Sequence, residues 1–308
     1  MSKVLITGGA GFIGSNLARA YLAKGYEVII VDNLSTGKLS NVPENVTLYE
    51  EDIRSSNFID IVKEEQPDVI NHHAAQIDVQ LSIKNPAEDA SINILGTINV
   101  LEAVKMINET KECRLVYPSS AAVYGEPQYL GVDEVHPIKP ISFYGASKFT
   151  PEFYIQVYHQ LHNIPYTIFR YANVFGIGQD PKGEGGVISI LVDKIVNNEL
   201  FTVFGDGEQT RDFIYVEDIV SANLIASEKP INTVVNISTN TKISLNELIN
   251  VAEGVINSKI ETKYAEERSG DIKHSYLNNK KANEQLGWYP AFTLEQGLLK
   301  TIEYYKNK

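Results

Sequence analysis

Residues 4–32 constrain this chain more than any other stretch. Val4-Leu5-Ile6 is a short apolar run rich in β-branched residues, which reads as a buried strand. Thr7-Gly8-Gly9-Ala10-Gly11-Phe12-Ile13-Gly14 follows at once. Ile13, Leu17, Ala18, Tyr21 and Leu22 then recur at helical spacing as far as Lys24-Gly25, a helix-ending pair. Glu27 to Val31 is a second strand, and it ends on Asp32. Strand, glycine turn, helix, strand and terminal acid within about thirty residues make the first half of a dinucleotide-binding fold.

Each part has a physical task. Gly8 lets the backbone turn tightly, Gly11 lets it approach a pyrophosphate with no Cβ in the way, and Gly14 allows close helix–strand contact. The helix opening at Phe12-Ile13 offers unpaired N–H groups to phosphates. Asp32 can accept hydrogen bonds from both hydroxyls of an unphosphorylated ribose and would repel a 2′-phosphate, so NAD is expected over NADP.

The alternation continues. Thr47-Leu48-Tyr49 is a strand leading to Asp52-Ile53, a candidate adenine clamp in which the acid accepts from the amino group and the isoleucine lies against the ring. Asn57 to Glu64 reads as a helix and Asp68 to Asn71 as a strand, after which Ala74-Ala75 would let the chain pass close to the cofactor. Asn85-Pro86 opens one long helix running to Met106, and Arg114 to Tyr117 is a fifth strand leading into the loop Pro118–Gly125. Strands alternating with helices at this spacing predict an α/β fold with a Rossmann-like doubly wound parallel sheet, whose ligands bind beyond the carboxyl ends of the strands.

Tyr144-Gly145-Ala146-Ser147-Lys148 follows on that side. On a helix, Tyr144 and Lys148 share one face at i and i+4. An ammonium beside a phenol lowers its pKa from about 10 toward neutrality, so that it can exchange protons with a sugar or alcohol hydroxyl. The spacing alone is common on solvated helix faces; its place after the fifth strand makes it a candidate. Pro151, inside the same helix, should bend it or leave a carbonyl unpaired.

Tyr166 to Tyr171 is a sixth strand, and beyond Gly176 the composition shifts to a polar glycine-rich loop as far as Gly186, of the sort that covers a site. Val187–Val196 reads as a helix, Phe201–Gly207 as a hairpin turn, Val234–Ile237 as a strand, Leu245–Val255 as a helix and Ile260–Tyr264 as a strand, with helices near 280–286 and 294–305. The expected division is residues 1–172 as the NAD-binding Rossmann domain, with segments near 213–240 returning to it. Residues 173–308 form a smaller mixed α/β C-terminal substrate-binding region.

Composition excludes other classes. A net charge of −12 argues against a nucleic-acid partner. The one cysteine, Cys113, forbids an internal disulfide or a cysteine-rich metal site and reads as a buried structural thiol. His72-His73 and the pair His159/His162 lack a carboxylate pattern for a metal, so none is expected. No secretory leader and no apolar stretch near the roughly 18–20 residues of a membrane span are read, which makes a cytoplasmic chain without a membrane partner the expectation.

With these motifs in order, the chain resembles the extended short-chain dehydrogenase/reductase family, and within it the nucleotide-sugar epimerases of the UDP-glucose (UDP-galactose) 4-epimerase type. The resemblance rests on Thr7–Gly14, Asp32-Asn33-Leu34, Asp52-Ile53-Arg54, Asn93-x-x-Gly96-Thr97 and Ser119–Gly125. It extends through Arg170-Tyr171-x-Asn173-Val174-Phe175-Gly176, Arg211–Val216 and Arg268-x-Gly270-Asp271. It implies Ser120, Tyr144 and Lys148 as catalytic residues. It implies NAD contacts at Gly8, Gly11, Phe12, Ile13, Gly14, Asp32, Asn33, Asp52, Ile53, Ala74, Ala75, Asn93 and Tyr171, with Tyr144 and Lys148. For a UDP-sugar it implies Ser120, Tyr144, Asn173, Gly186, Val187, Val203, Asp271 and Ser275, with Arg211 and Arg268 on the diphosphate, where a guanidinium fork suits phosphate oxygens. A homodimer built from the Asn85–Met106 and Tyr144–His162 helices is also implied.

Related 4,6-dehydratases carry an Asp-Glu pair straight after the catalytic hydroxyl residue, and UDP-glucuronate decarboxylases a glutamate. Here those positions are Ala121 and Ala122, which move no proton, so simple C4 inversion is expected. A UDP-glucuronate 4-epimerase and a net oxidoreductase using soluble NAD stay open. In UDP-galactose 4-epimerases a tyrosine at the position matching Ser275 blocks an N-acetyl group. Serine leaves room, so both UDP-Glc/UDP-Gal and UDP-GlcNAc/UDP-GalNAc are expected substrates.

Overall fold

The protein is described by a computed structural model over residues 2–182, 185–267 and 272–307. The first half alternates strand and helix: β1 (Lys3–Thr7), α1 (Phe12–Ala23), β2 (Glu27–Asp32), β3 (Thr47–Glu50), α2 (Ser56–Glu65) and β4 (Val69–His72). Then come α3 (Val79–Lys84), α4 (Pro86–Ala90), α5 (Gly96–Asn108), β5 (Arg114–Ser120), α6 (Phe143–His162) and β6 (Tyr166–Tyr171). The second half holds β7 (Asn173–Phe175), α7 (Val187–Asn197), β8 (Phe201–Phe204), β9 (Thr210–Arg211), β10 (Phe213–Tyr215), α8 (Val216–Glu228) and β11 (Val234–Ile237). It ends with β12 (Ile243–Ser244), α9 (Leu245–Ile256), β13 (Thr262–Ala265), α10 (Lys280–Leu286) and α11 (Leu294–Lys306).

Seven strands form one parallel sheet in the order β11-β6-β5-β4-β1-β2-β3. Period-2 alternation assigns their side chains to two cores. Val4, Ile6, Val28 and Ile30 face a cluster completed by Leu17 and Tyr21 of α1 and Ile219 and Ala222 of α8. Leu5, Ile29, Val31 and Ile70 face the other, with Phe58 of α2, Leu101 and Val104 of α5 and Ile155 of α6. The chain reverses direction across the sheet between β1 and β4, and in such sheets the crevice beyond that switch point receives ligands. Cys113 is buried in the second core, where burial pushes its thiol up to about 12.

The long helix expected from Asn85 to Met106 forms as one run, Pro86–Asn108, but its hydrogen-bond pattern changes within it. Asn85 caps α4 by accepting from the Glu88 N–H, a π turn occupies Ser91–Leu95, and only then does α5 begin. The insertion turns Asn93 inward, where it is buried. Ahead of it α3, absent from the sequence reading, is nucleated by Asp78, whose carboxylate accepts from the Gln80 and Leu81 N–H groups. Contrary to expectation, Pro86–Asn108 is long and apolar enough by composition to cross a membrane; in this fold it packs against α2 and α6. Pro151 does not break α6. It leaves the Ser147 carbonyl without its i+4 donor, and the next carbonyl, Lys148, accepts from the Tyr117 hydroxyl at 3.2 Å.

The hairpin expected at Phe201–Gly207 does not form. β8 pairs in parallel with β13, while the chain beyond Gly207 is captured by the start of α9, where Leu245 and Asn246 donate to the Gln209 and Gly207 carbonyls. β9 runs antiparallel to β12, and β10 parallel to β7. A third core of Ile188, Leu191, Phe201, Leu248, Leu298 and Ile302 fills this region, and Phe12 of α1 inserts into it.

Candidate active site

The glycine turn is built by contact between backbones. Gly8 has φ 71°, and a Cβ there would stand 2.7 Å from the Ala74 nitrogen. A Cβ on Gly14 would stand 2.1 Å from the Gly8 carbonyl oxygen. Only glycine lets α1, the turn and the loop after β4 come together. Gly11 is the N-cap of α1 and no described side chain caps that end, so its first N–H groups point out of the helix ready for an anion. Asp32, buried at the end of β2, accepts from Ala10 N at 2.9 Å and Leu34 N at 2.8 Å, and each oxygen keeps a lone pair for a ribose hydroxyl. Asp52 accepts from Asn33 at 3.0 Å and from both ends of Arg54, whose guanidinium beside it holds its carboxyl down at about 2. This cradle fits a dinucleotide with an unphosphorylated ribose.

Several expected cofactor residues are buried. Ile53 does not turn its side chain outward to a ring; it is buried in the second core, against Gly96. Asn93 spends its amide within the protein, accepting from Gln76 N at 2.8 Å and donating to Gln76 O and the Ser147 hydroxyl, both at 2.9 Å. It therefore ties the loop after β4 to α6. Tyr171 is buried with its hydroxyl accepting from Asn223 at 2.7 Å, and burial pushes that phenol far up. Phe12 is core, while Ile13, Ala74 and Ala75 are half-buried along the turn and loop.

Ser120 closes β5 and Ser142 caps α6, accepting from Gly145 N at 3.0 Å. That cap starts the helix one residue ahead of Tyr144, whose N–H donates to the Ser82 hydroxyl of α3 at 3.2 Å. The Ser120 hydroxyl lies by the Tyr144 phenol and favours its charged form. Lys148, one turn on, is buried with Nζ 4.6 Å from the centre of the Tyr117 ring.

The electrostatics differ from the sequence expectation. Burial pushes the Tyr144 phenol up from its ordinary value, against the Ser120 hydroxyl, and Asp89 adds to the rise. Burial brings Lys148 down to about 7, opposed by Glu152 and Asp89. Lys148 alone thus does not acidify Tyr144, because desolvation disfavours both charged forms. The histidines beneath are neutral for the same reason. His72, between the Thr7 hydroxyl at 2.7 Å and the Thr97 hydroxyl at 3.0 Å, is pushed down to about 3, and His73 is lowered while stacking on Tyr171.

Behind Lys148 lies a polar cluster that sequence reasoning missed. Glu152 of α6 and Arg170 of β6 are buried and paired twice, Nη2–Oε2 at 2.7 Å and Nε–Oε1 at 3.1 Å. The Ser119 hydroxyl donates to Glu152 at 2.5 Å, and Arg170 also donates to the Tyr124 hydroxyl at 3.0 Å. Glu152 stands four residues beyond Lys148, a spacing that could have flagged it.

Of the residues expected at the substrate, Asn173, Arg211 and Ser275 gather about Thr210–Asp212. Asn173 N donates to Asp212 O at 2.9 Å and Ser275 N to Thr210 O at 3.1 Å. Arg211 donates to Thr210 O at 2.8 Å. Asp212 itself is buried, accepting from the Thr239 N–H at 2.9 Å and hydroxyl at 2.7 Å, and burial pushes its carboxyl up to about 6. Gly186 is the N-cap of α7 and Val187 its half-buried first residue. Val203 is a correction: it has no exposed surface and packs in the third core, while strand alternation leaves Phe204 half-exposed. Arg268 and Asp271 lie outside the described residues.

Residues 5–301 match the family described as GDP-mannose 4,6 dehydratase. Among solved structures, the chain is 38% identical to a UDP-glucose 4-epimerase of Thermotoga maritima with UDP-glucose, over 99% of both chains at a TM-score of 0.95. It is 34% identical to a UDP-N-acetylglucosamine 4-epimerase of Methanobrevibacter ruminantium in complex with UDP-N-acetylmuramic acid, over 99% of this chain and 98% of that one, at a TM-score of 0.93. It is also 34% identical to a UDP-glucose 4-epimerase of Thermus thermophilus in complex with NAD, over 98% of both chains at a TM-score of 0.90.

Proposed function

The chain belongs to the GDP-mannose 4,6 dehydratase family of extended short-chain dehydrogenases/reductases, and we propose that it catalyses NAD-dependent inversion at C4 of a UDP-sugar through a 4-keto sugar. One observation carries the reading within the family. The two residues beyond Ser120, whose hydroxyl lies by the Tyr144 phenol, are alanines, half-buried, with no proton to give or take. Loss of water from the sugar needs a second acid and base; inversion at C4 needs neither.

Gly8, Gly11, Gly14, Asp32 and Asp52 would hold the dinucleotide, with Lys148 on the nicotinamide ribose. A bound NAD would supply the hydride acceptor and donor for C4, and its cationic ring would join Lys148 in favouring the phenolate. Tyr144 takes the proton of the sugar 4-hydroxyl and gives it back after the keto sugar has turned over. Ser120 donates to the same oxygen and holds it against Tyr144. Arg211 and Arg268 would anchor the diphosphate, and Asn173 and the Gly186-Val187 end of α7 the rest of the sugar nucleotide, so the nucleotide stays fixed while the sugar rotates. Serine at position 275 leaves space for a C2 N-acetyl group, supporting UDP-GlcNAc as a second substrate.

Phe153, Tyr154, Val157 and Leu161 form an exposed apolar stripe on α6. That stripe supports a homodimer through α6 and the preceding helix, with sedimentation as its measure. The buried Cys113 thiol suits the reducing cytoplasm.

The test is to incubate the protein, with no NAD added, with UDP-Glc, UDP-GlcNAc, UDP-GlcA and dTDP-Glc separately and to resolve products by NMR. Conversion of UDP-Glc to UDP-Gal, with Tyr144→Phe slower by at least ~100-fold, is expected. A deoxy-keto product, or turnover only with stoichiometric added NAD, would overturn the reading. Turnover of UDP-Glc with none of UDP-GlcNAc would remove the wider substrate range.

A further inference from the structure

We infer that Asp89 is a positioning residue for the Tyr144–Lys148 pair, a buried carboxylate without a matching cation that sets the protonation state in which the pair works. The inference deepens the epimerase reading and rests on it. Asp89 sits in α4 with 1% of its surface exposed. Its Oδ1 accepts from Gln76 Nε2 at 2.7 Å and from Asn93 Nδ2 at 3.4 Å. Asn93 in turn holds the Ser147 hydroxyl, next to Lys148. Its Oδ2 is buried with no hydrogen-bond partner among the described residues. A buried oxygen left bare is costly, and the Oδ1 bonds could be accepted equally by an amide. A purely structural role therefore has no use for the second oxygen, whereas an electrostatic one requires it.

The groups facing the pair from each packed element leave this charge unmatched. From α6 comes Glu152, neutralised by Arg170 of β6. From β4 come His72 and His73, both lowered by burial. From β5 come the uncharged Tyr117, Ser119 and Ser120. Asp89 is in no ion pair among the described residues, and its field acts on both Lys148 and Tyr144. A negative charge there raises the pH at which Lys148 loses its ammonium and at which the phenol ionises. It offsets part of the desolvation that would otherwise leave Lys148 neutral.

Asp89→Asn isolates the charge, since the amide keeps an oxygen toward Gln76 and Asn93 and puts its NH2 where the bare oxygen stood. The rate of UDP-Glc turnover against pH is compared with wild type. In parallel, Tyr144 is titrated by NMR of Cζ-labelled tyrosine without substrate, with Tyr144→Phe assigning the signal. The expected result is that both the rate profile and the Tyr144 titration move toward acid by roughly one pH unit. Asp89→Glu, which keeps the charge, is expected to restore the wild-type position whatever its maximal rate, and it serves if the asparagine variant does not fold. A folded Asp89→Asn protein with a lower plateau but an unmoved profile and titration overturns the inference, as does Asp89→Glu displaced like the asparagine variant. Failure of wild type to turn over any UDP-sugar defeats the epimerase reading instead, and the NMR titration still decides whether Asp89 governs Tyr144.

Discussion

Replacing Glu152 by glutamine should unsettle this protein more than any conservative change on its surface. Both partners of the Glu152–Arg170 pair are buried, with side chains 1% and 6% exposed. The glutamine can still accept at one oxygen from Ser119 and Arg170 Nε, but it sets an NH2 against Arg170 Nη2, where a 2.7 Å charged hydrogen bond now stands. Arg170 is left as an unpaired buried cation. Breaking one side of such a pair costs about 3–5 kcal/mol. At roughly 2–4 °C per kcal/mol for a chain of this size class, Tm should fall by about 10 °C. The urea midpoint of Glu152→Gln, of Arg170→Met and of the double variant measures it as a cycle. Each single change should cost about 3–5 kcal/mol. The double variant should cost clearly less than their sum, with a coupling of about 2 kcal/mol or more. A single-variant cost below ~1 kcal/mol, or strictly additive effects, would refute the claim that this pair is locked by mutual compensation.

Gly14→Ala should abolish retention of NAD, because its Cβ would meet the Gly8 carbonyl oxygen at 2.1 Å and α1 must move off the turn. Purified variant protein carrying wild-type amounts of cofactor would contradict this. Stability should also depend on pH through two opposed groups. His72 is pushed down to about 3, so the unfolded chain takes its proton first. The stability it secures is complete above about 6.5 and is lost as pH falls toward 3, on the order of 5 kcal/mol in all. Asp212 is pushed up to about 6, so the folded chain holds its proton more tightly, and stability falls as pH rises from about 4 through 6. Urea midpoints against pH check both: His72→Gln should flatten the acid-side loss, and Asp212→Asn should remove the opposing slope.

The sheet was legible because a parallel strand buried on both faces writes itself as a short continuous apolar run, as Val4–Ile6 and Val28–Val31 do. The dinucleotide turn was legible because steric exclusion leaves only glycine at positions 8 and 14. Tyr144 and Lys148 were marked as candidates because helical spacing and strand order are both sequence properties. Their acidity was not, since desolvation depends on everything packed around them, and a reading of neighbours at i and i+4 contains the attraction but not the burial. The π turn at Ser91–Leu95 was hidden because one extra residue per turn leaves the apolar pattern nearly unchanged. Val203 was misplaced for a related reason: a strand has two faces, and only its packing partner decides which is wet. Asp89 and Arg170 stand far apart in sequence and become neighbours of Lys148 only through tertiary packing.

The order of the main sheet bears on how the chain is made. β11 is the only described strand that pairs with the outer edge of β6, and it is synthesised only after α7, β8, β9, β10 and α8. α8 also supplies the cover over Leu17, Ala18 and Tyr21 of α1. A growing chain that has reached Tyr171 therefore carries an open strand edge and an uncovered apolar helix face together. Such surfaces invite pairing with other chains. The half up to Tyr171 thus cannot finish folding ahead of the rest, and a fragment cut there inherits the same open edge permanently.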